Sequence, residues 1–372
     1  MSAAHNYTGL MIARTFLGFF EAVVSAGFLL ITASWYRKYE HASRVGIWSC
    51  FTGVAQILGG LIAYGCLQGR LAHPDSNFTS WRILYLCTGV ASAIFGAFMF
   101  FFFASTPLEA NWLTRDEKIV AIERLRSNQQ GIGSHEFKWS QVRETLTDIR
   151  TWLYVLFILT SQIPLGGTVL LSSILISSLG FSSSESLLFA MPSGVIQILA
   201  YTLTGYIADR TKQRTLSAVG IHLLAIFSIA LMVGLMNVSP LYAKPGQLVG
   251  YFILNGTGPC SFFMILSMIS SNVLGTTKKT MTNGLAFGAL AVAYLVGPQI
   301  FVDAPYYPKA KAACLGLWAV AMVTLLCIYT LNRLENKKRD ADPTNDPNGD
   351  HVANIEFMDL TDKENKLFRY VL

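Results

Sequence analysis

The chain has 372 residues, 52% hydrophobic and only 13% charged, with a formal net charge of +6. An ordinary soluble domain carries about 25% charged residues, so this composition, with a mean hydropathy of +0.45, excludes a soluble fold and predicts an all-α polytopic membrane protein. Lys and Arg gather in short segments between apolar runs, as in cytoplasmic loops, so the positive charge does not point to nucleic acid.

The first apolar run covers about residues 8–35, long enough to span a membrane and too long for the core of a secretory signal. Inside it lie Arg14 and Glu21. Two turns of helix separate them, so they share one face about 10 Å apart along the axis. A charge at bilayer depth costs about 2.5 to 17 kcal/mol, and such residues turn to a cavity or a partner and mark a pathway. This face is expected to wall a substrate pathway; the competing structural reading is that Arg14 and Glu21 satisfy each other or polar neighbours.

Further runs follow at about 46–67 and 83–104, then six more at 152–176, 186–208, 216–236, 248–270, 282–302 and 312–332, nine in all by the ~20-residue criterion. Basic residues follow every second run: Arg37, Lys38 and Arg44, then Arg115 to Arg150, Arg210 to Arg214, Lys278-Lys279, and Lys337 to Arg339. The bias places the N-terminus outside and the C-terminus in the cytoplasm. The sequon Asn77-Phe-Thr79 then falls in an outer loop, so Asn77 is the expected glycosylation site. Asn237 lies close to the membrane before Pro240, and Asn255 lies inside a run.

Four segments result: an N-terminal bundle of three runs (1–104), a cytoplasmic linker (105–151), a six-helix bundle (152–335) and a tail (336–372). The linker holds an amphipathic pattern from Trp112 to Leu125, with Thr114 as N-cap and Glu117 three residues on. The tail is rich in Asp, Asn, Pro and Lys and is expected to be disordered. The cysteines, Cys50, Cys66, Cys87, Cys260, Cys314 and Cys327, sit mostly in apolar runs without ligand spacing, and no metal, cofactor or disulfide framework is expected. No nucleophile elbow or phosphate loop is present, so the chain does not read as an enzyme.

Polar residues inside the runs, Gln56, Gln162, Gln197, Tyr201, Asn255 and Asn283, can line a cavity or join helices by hydrogen bonds. Pro164 with Gly166-Gly167, and Gly256 to Pro259, are expected to break their helices. The segment Gly205-Tyr-Ile-Ala-Asp209-Arg210-Thr-Lys-Gln-Arg214 places an acid and cations at a helix end, where they can latch neighbouring helices or stay solvated. His222 reads as a packed histidine.

Several motifs carry a resemblance. Arg14-Thr-Phe-Leu-Gly18-Phe-Phe-Glu21-Ala22 with Ser34-Trp35-Tyr36-Arg37-Lys38 is similar to the fourth helix and following loop of the fungal allantoate, nicotinate and vitamin permeases. These form the anion:cation symporter branch of the major facilitator superfamily. Gly53-Val-Ala-Gln56-Ile-Leu-Gly59-Gly60 resembles their fifth helix, Pro107 through Arg126 their central loop, Asp303-Ala-Pro305-Tyr306 the outer end of their eleventh helix, and Asp359 to Tyr370 their C-terminus. The resemblance implies that the nine runs match helices 4–12 of the usual twelve. The first three are then expected to be missing, through an internal start or a true shortening.

The resemblance further implies alternating access by two rocking halves. In it Arg14 pairs with a substrate carboxylate, Glu21 couples protons, and Gly205, Asp209, Arg210 and Arg214 form a gating loop. Gln56, Gln162 and Asn255 are the candidate substrate-binding polar residues. Ala26 and Tyr294 depart from the pattern, where many members have proline and asparagine, so substrate choice can differ. The expected protein is a monomeric plasma-membrane symporter of a small organic anion and protons. An exporter of the same superfamily, or a shortened protein that no longer transports and acts as a relic or sensor, are the alternatives.

Overall fold

The computed structural model describes residues 1–73, 79–128, 137–235, 240–302, 307–342 and 359–372. Thirteen α-helices occur among them: α1(Tyr7–Trp35), α2(His41–Ala72), α3(Ser80–Phe102), α4(Arg115–Leu125), α5(Trp139–Thr147), α6(Ile149–Leu170), α7(Ser172–Ser178), α8(Ser183–Phe189), α9(Met191–Thr211), α10(Arg214–Gly234), α11(Pro240–Asn272), α12(Thr276–Ile300) and α13(Pro308–Asp340). Among the described residues, nine segments are long and apolar enough to cross a membrane. They coincide with the nine expected runs.

Caps written in the sequence set several boundaries. Asn6 accepts from the Gly9 amide at 2.8 Å to start α1. Thr114 and Glu117 close a capping box on α4, the Thr114 amide donating to Glu117 at 2.8 Å, as the sequence spacing requires. Elsewhere the helices outrun their apolar cores. Helix α13 continues through Lys337, Lys338 and Arg339 to Asp340, because cations in a last turn complement the helix dipole.

Two expected breaks are absent. Helix α11 runs through Gly256 and Pro259, and α6 runs through Pro164 to Leu170. The glycines serve packing instead. A Cβ on Gly258 would meet Leu165 at 2.6 Å and one on Gly256 would meet Ile196 at 2.5 Å, so their bare faces admit the neighbouring helices.

Helix α2 lies along α9, α10 along α11, and α6 against α12 and α13. The contact of α2 with α9 is close enough that Cβ atoms on Gly53 and Gly194 would each lie within 2.6 Å of the other's carbonyl oxygen. The buried stripe of α2, from His41 through Val45 and Ser49 to Gly53, occupies only its first half. Helix α1 buries only Leu29, Thr32 and Ala33, at its C-terminal end, and α3 buries no residue. The chain is therefore drawn together at one end. We call it the charge-rich end, since the α1–α2, α9–α10 and α11–α12 connections and residues 359–372 meet there.

The α1–α2 connection is also tied to the linker. The Trp35 indole donates to the Ser105 carbonyl at 3.2 Å and stacks on Trp112. Asn128 accepts from the Lys38 amide at 2.7 Å and donates to the Tyr36 carbonyl at 3.0 Å.

Candidate functional site

The charge-rich end is built on Gly205. Its missing side chain lets α2 approach so closely that a Cβ there would lie 2.7 Å from the Ala42 carbonyl oxygen. That approach sets the start of α2 beside Asp209, one turn further along α9. The two carboxylate oxygens accept from the Ala42 amide at 3.2 Å and the Ser43 amide at 2.6 Å. These are first-turn N–H groups with no partner inside their own helix, at the positive end of its dipole. Asp209 thus caps a helix more than 160 residues away in sequence.

Arg214 opens α10 and is almost wholly buried. Its guanidinium donates to Asp209 at 3.3 Å and the Ser267 carbonyl at 3.2 Å, and also to the Lys38 carbonyl and the Ser271 hydroxyl. Ser271 lies 3.1 Å from His41 Nδ1, while His41 Nε2 lies 3.0 Å from the Tyr36 carbonyl oxygen and so carries the hydrogen. A single network therefore joins the α1–α2 connection to α9, α10 and α11. Arg210 is not part of it; it reaches outward to the Tyr206 hydroxyl at 2.7 Å. Three of the four expected latch residues converge.

Deeper in the bundle an aromatic cluster follows. Phe28 stacks on Trp48 at 5.7 Å between centroids, Trp48 meets Phe263 edge-on at 5.5 Å, and Phe263 meets Tyr201 at 5.1 Å. These rings belong to α1, α2, α11 and α9. Sequence reasoning noted only Tyr201, because an aromatic residue in an apolar run looks the same whether it faces lipid or a partner.

The polar residues of the runs separate into two groups. Gln56 donates to the Ala190 carbonyl at 3.1 Å and the Ser193 hydroxyl at 2.8 Å, joining α2 to α9. Gln162 is buried and donates to its neighbour Ser161 at 3.3 Å. Asn255 donates to the Tyr251 carbonyl at 3.3 Å, and Gln197 to the Tyr201 hydroxyl at 3.4 Å. The side-chain oxygens of Asn255, Gln197 and Asn283 are buried without a hydrogen-bond donor. A buried acceptor left unmatched costs about 1–3 kcal/mol. His222 packs between Phe157 and Trp318 and contacts the Trp318 carbonyl at 3.2 Å.

Arg14 and Glu21 lie on an uncovered face of α1 and form no ion pair with each other. The Arg14 guanidinium donates to the Tyr85 hydroxyl on α3 and stands 5.5 Å from the centre of that ring. Asn77 lies outside the described residues.

Comparison with known proteins decides the family. Residues 1–298 match the Major Facilitator Superfamily. Over 374 residues the chain is 37% identical to the allantoate permease of Saccharomyces cerevisiae, covering 99% of this chain and 68% of that one. It is 34% identical over 377 residues to an uncharacterized transporter of Schizosaccharomyces pombe, covering 100% and 72%. To the thiamine pathway transporter THI73 of S. cerevisiae it is 32% identical over 373 residues, covering 100% and 69%. The chain belongs to the major facilitator superfamily. It is a multi-pass membrane transporter of small molecules and not an enzyme.

In this major facilitator protein the charge-rich end holds one more component, which corrects the expectation of a disordered tail. Residues 359–372 are packed, with Asp362, Phe368 and Tyr370 buried. Asp362 accepts from Lys278 Nζ at 2.7 Å and from the Tyr370 hydroxyl at 2.7 Å. The same Lys278 ammonium reaches Glu144 and Asp148 at 2.9 Å each. Arg339 donates to the carbonyls of Asp362 at 2.9 Å and Phe368 at 2.8 Å. The amide side chains of Asn272 and Asn336 each bond both ways with the backbone of Val371 and Tyr370 respectively, at 2.8 to 2.9 Å.

The electrostatics suit this docking. Burial tends to raise the Asp359 carboxyl, but the Thr276 amide and Lys138 outweigh it and hold the group below its ordinary range. At Asp148 burial again opposes, and the charge and hydrogen bond of Lys278 win. Burial pushes the Tyr370 hydroxyl up, the Asp362 charge adding to it, so it stays a donor. The segment was visible in the sequence as a resemblance, yet its composition, averaged with the polar residues before it, pointed the other way.

Proposed function

We propose that this protein is a proton-coupled carrier that takes up a small organic anion by alternating access. On this reading α1–α3 form one half and α6–α13 the other, the charge-rich end faces the cytoplasm of a plasma-membrane protein, and the contacts of Gly205, Asp209 and Arg214 are its closed inner gate. Arg14 supplies a permanent charge with a forked geometry suited to a carboxylate. Glu21, on the same face of a membrane-length helix, carries the coupled proton. The unmatched oxygens of Gln197, Asn255 and Asn283 serve the donors of an amide- or ureide-bearing anion.

The observation that carries this reading is Arg14, a cation within a membrane-length apolar helix, in a chain 37% identical to an allantoate permease. The test is uptake of labelled allantoate and nicotinate by cells expressing the protein, with outside pH set to about 5 and about 7. Accumulation faster at the lower pH, reduced at least about tenfold by Arg14→Ala and less by Arg14→Lys, is expected. Efflux instead of accumulation would assign an exporter. Unchanged uptake by Arg14→Ala would remove that residue from the site.

A further inference from the structure

The docked segment 359–372 makes two kinds of contact, and only one of them lies within a single half of the transporter. The anchoring contacts reach α5, α11, α12 and α13 and the connections between them: Asp359 to Lys138 at 3.0 Å and to the Thr276 amide at 2.7 Å, Asp362 to Lys278, and Tyr370 and Val371 to the two asparagines. None of these partners belongs to α1–α3 or their connections. From this anchorage the segment reaches across to the other half. Lys38, in the α1–α2 connection, places Nζ 3.7 Å from the centre of the Phe368 ring and donates from it to the Arg369 carbonyl at 2.8 Å. Within its own half, Leu372 accepts from the backbone amide of Arg214 through a main-chain oxygen.

Lys38 is thereby held at both ends, its own carbonyl by the Arg214 guanidinium and its ammonium by the tail. A buried amino group that sits over an aromatic face and donates to a carbonyl is a directional contact. It survives only while the α1–α2 connection sits against α10 and α11.

We propose that residues 359–372 act as a clasp, anchored on one half of the transporter, whose grip on Lys38 stabilises the closed state of the charge-rich end and limits how often that end opens. An interaction made in one state and absent from the other shifts the population by its own free energy. The anchoring bonds are common to both states and do not contribute; the Lys38 contact does. The proposal rests on the alternating-access reading above, to which it adds a control element.

The test uses the full chain with its native cysteines replaced and a single reporter, Ser49→Cys, on the buried stripe of α2. A charged, impermeant thiol reagent is applied to the charge-rich side in oriented vesicles, and the rate of modification reads how often α2 parts from α9 and α11. Lys38→Ala and Phe368→Leu are each expected to raise that rate about three- to tenfold, and the double variant no further than the larger single effect, because both delete one contact. Lys366→Ala, whose side chain is exposed, should keep the slow rate. Thermal melting of each variant separates opening from unfolding.

Wild-type rates in both Lys38→Ala and Phe368→Leu overturn the clasp, and so do single effects that multiply in the double variant. Because modification needs no transported anion, a failed uptake assay leaves this result standing. Absence of modification in every variant overturns the clasp and the alternating-access reading together.

Discussion

Arg214 shows how one side chain can hold an interface. Its guanidinium serves a carboxylate, two carbonyls and a hydroxyl contributed by three different segments, α9, α11 and the α1–α2 connection, and it is almost wholly buried. Removing one partner of a buried ion pair costs about 3–5 kcal/mol, because the remaining groups lose their donor without regaining solvent. Arg214→Ala should therefore lower the melting temperature in detergent strongly. Asp209→Asn should cost less, since its one amide oxygen still accepts from the first turn of α2 and Arg214 keeps its carbonyl and hydroxyl acceptors, although the guanidinium loses its counter-charge. Equal losses for both variants would mean that the ion pair, which both delete, and not the cap, carries the stability. In the sequence, acid and arginine five residues apart at the end of an apolar run were recognisable as a latch. That Arg210 is not part of it was not, because the direction of a side chain depends on what the fold brings beside it.

At the scale of elements, the tail is a short segment without regular structure whose order comes from other elements. Asp359 and Asp148 titrate below their ordinary values when it is docked. Carboxylates shifted in this direction contribute fully above the ordinary range, near pH 4, and lose that contribution as the pH falls through their lowered values. Backbone amides of 359–372 should be protected from hydrogen exchange at neutral pH and lose that protection below about pH 4. Protection that persists unchanged to pH 3 would show that the aromatic and asparagine contacts suffice alone. Helix α11 carries the complementary lesson: Gly256 to Pro259 reads locally as a break, yet tertiary packing against Leu165 and Ile196 uses those small residues to bring helices together.

For the whole molecule, the contact pattern is closed at one end. Helix α1 buries residues only towards its C-terminal end, and Arg14 and Glu21 lie further along it, beyond the aromatic cluster from the charge-rich end. If Glu21 couples the proton, Glu21→Gln should leave exchange of anion across the membrane measurable while removing its acceleration by an inward pH gradient. Comparing counterflow with gradient-driven uptake in vesicles checks this. A variant still driven by the gradient as well as the wild type would take the coupling role away from Glu21.

The sequence by itself determined the class, the nine apolar spans, the cap of α4, and the family. These depend on composition, period and short local patterns, which every segment carries whatever its neighbours do. Tertiary structure alone decided that Asp209 caps α2, that Phe28, Trp48, Tyr201 and Phe263 meet, and that the tail folds onto Lys38, Lys278 and Arg339. Each of these joins residues far apart in the chain, and their energies come from desolvation and partner geometry, which exist only once the helices are packed.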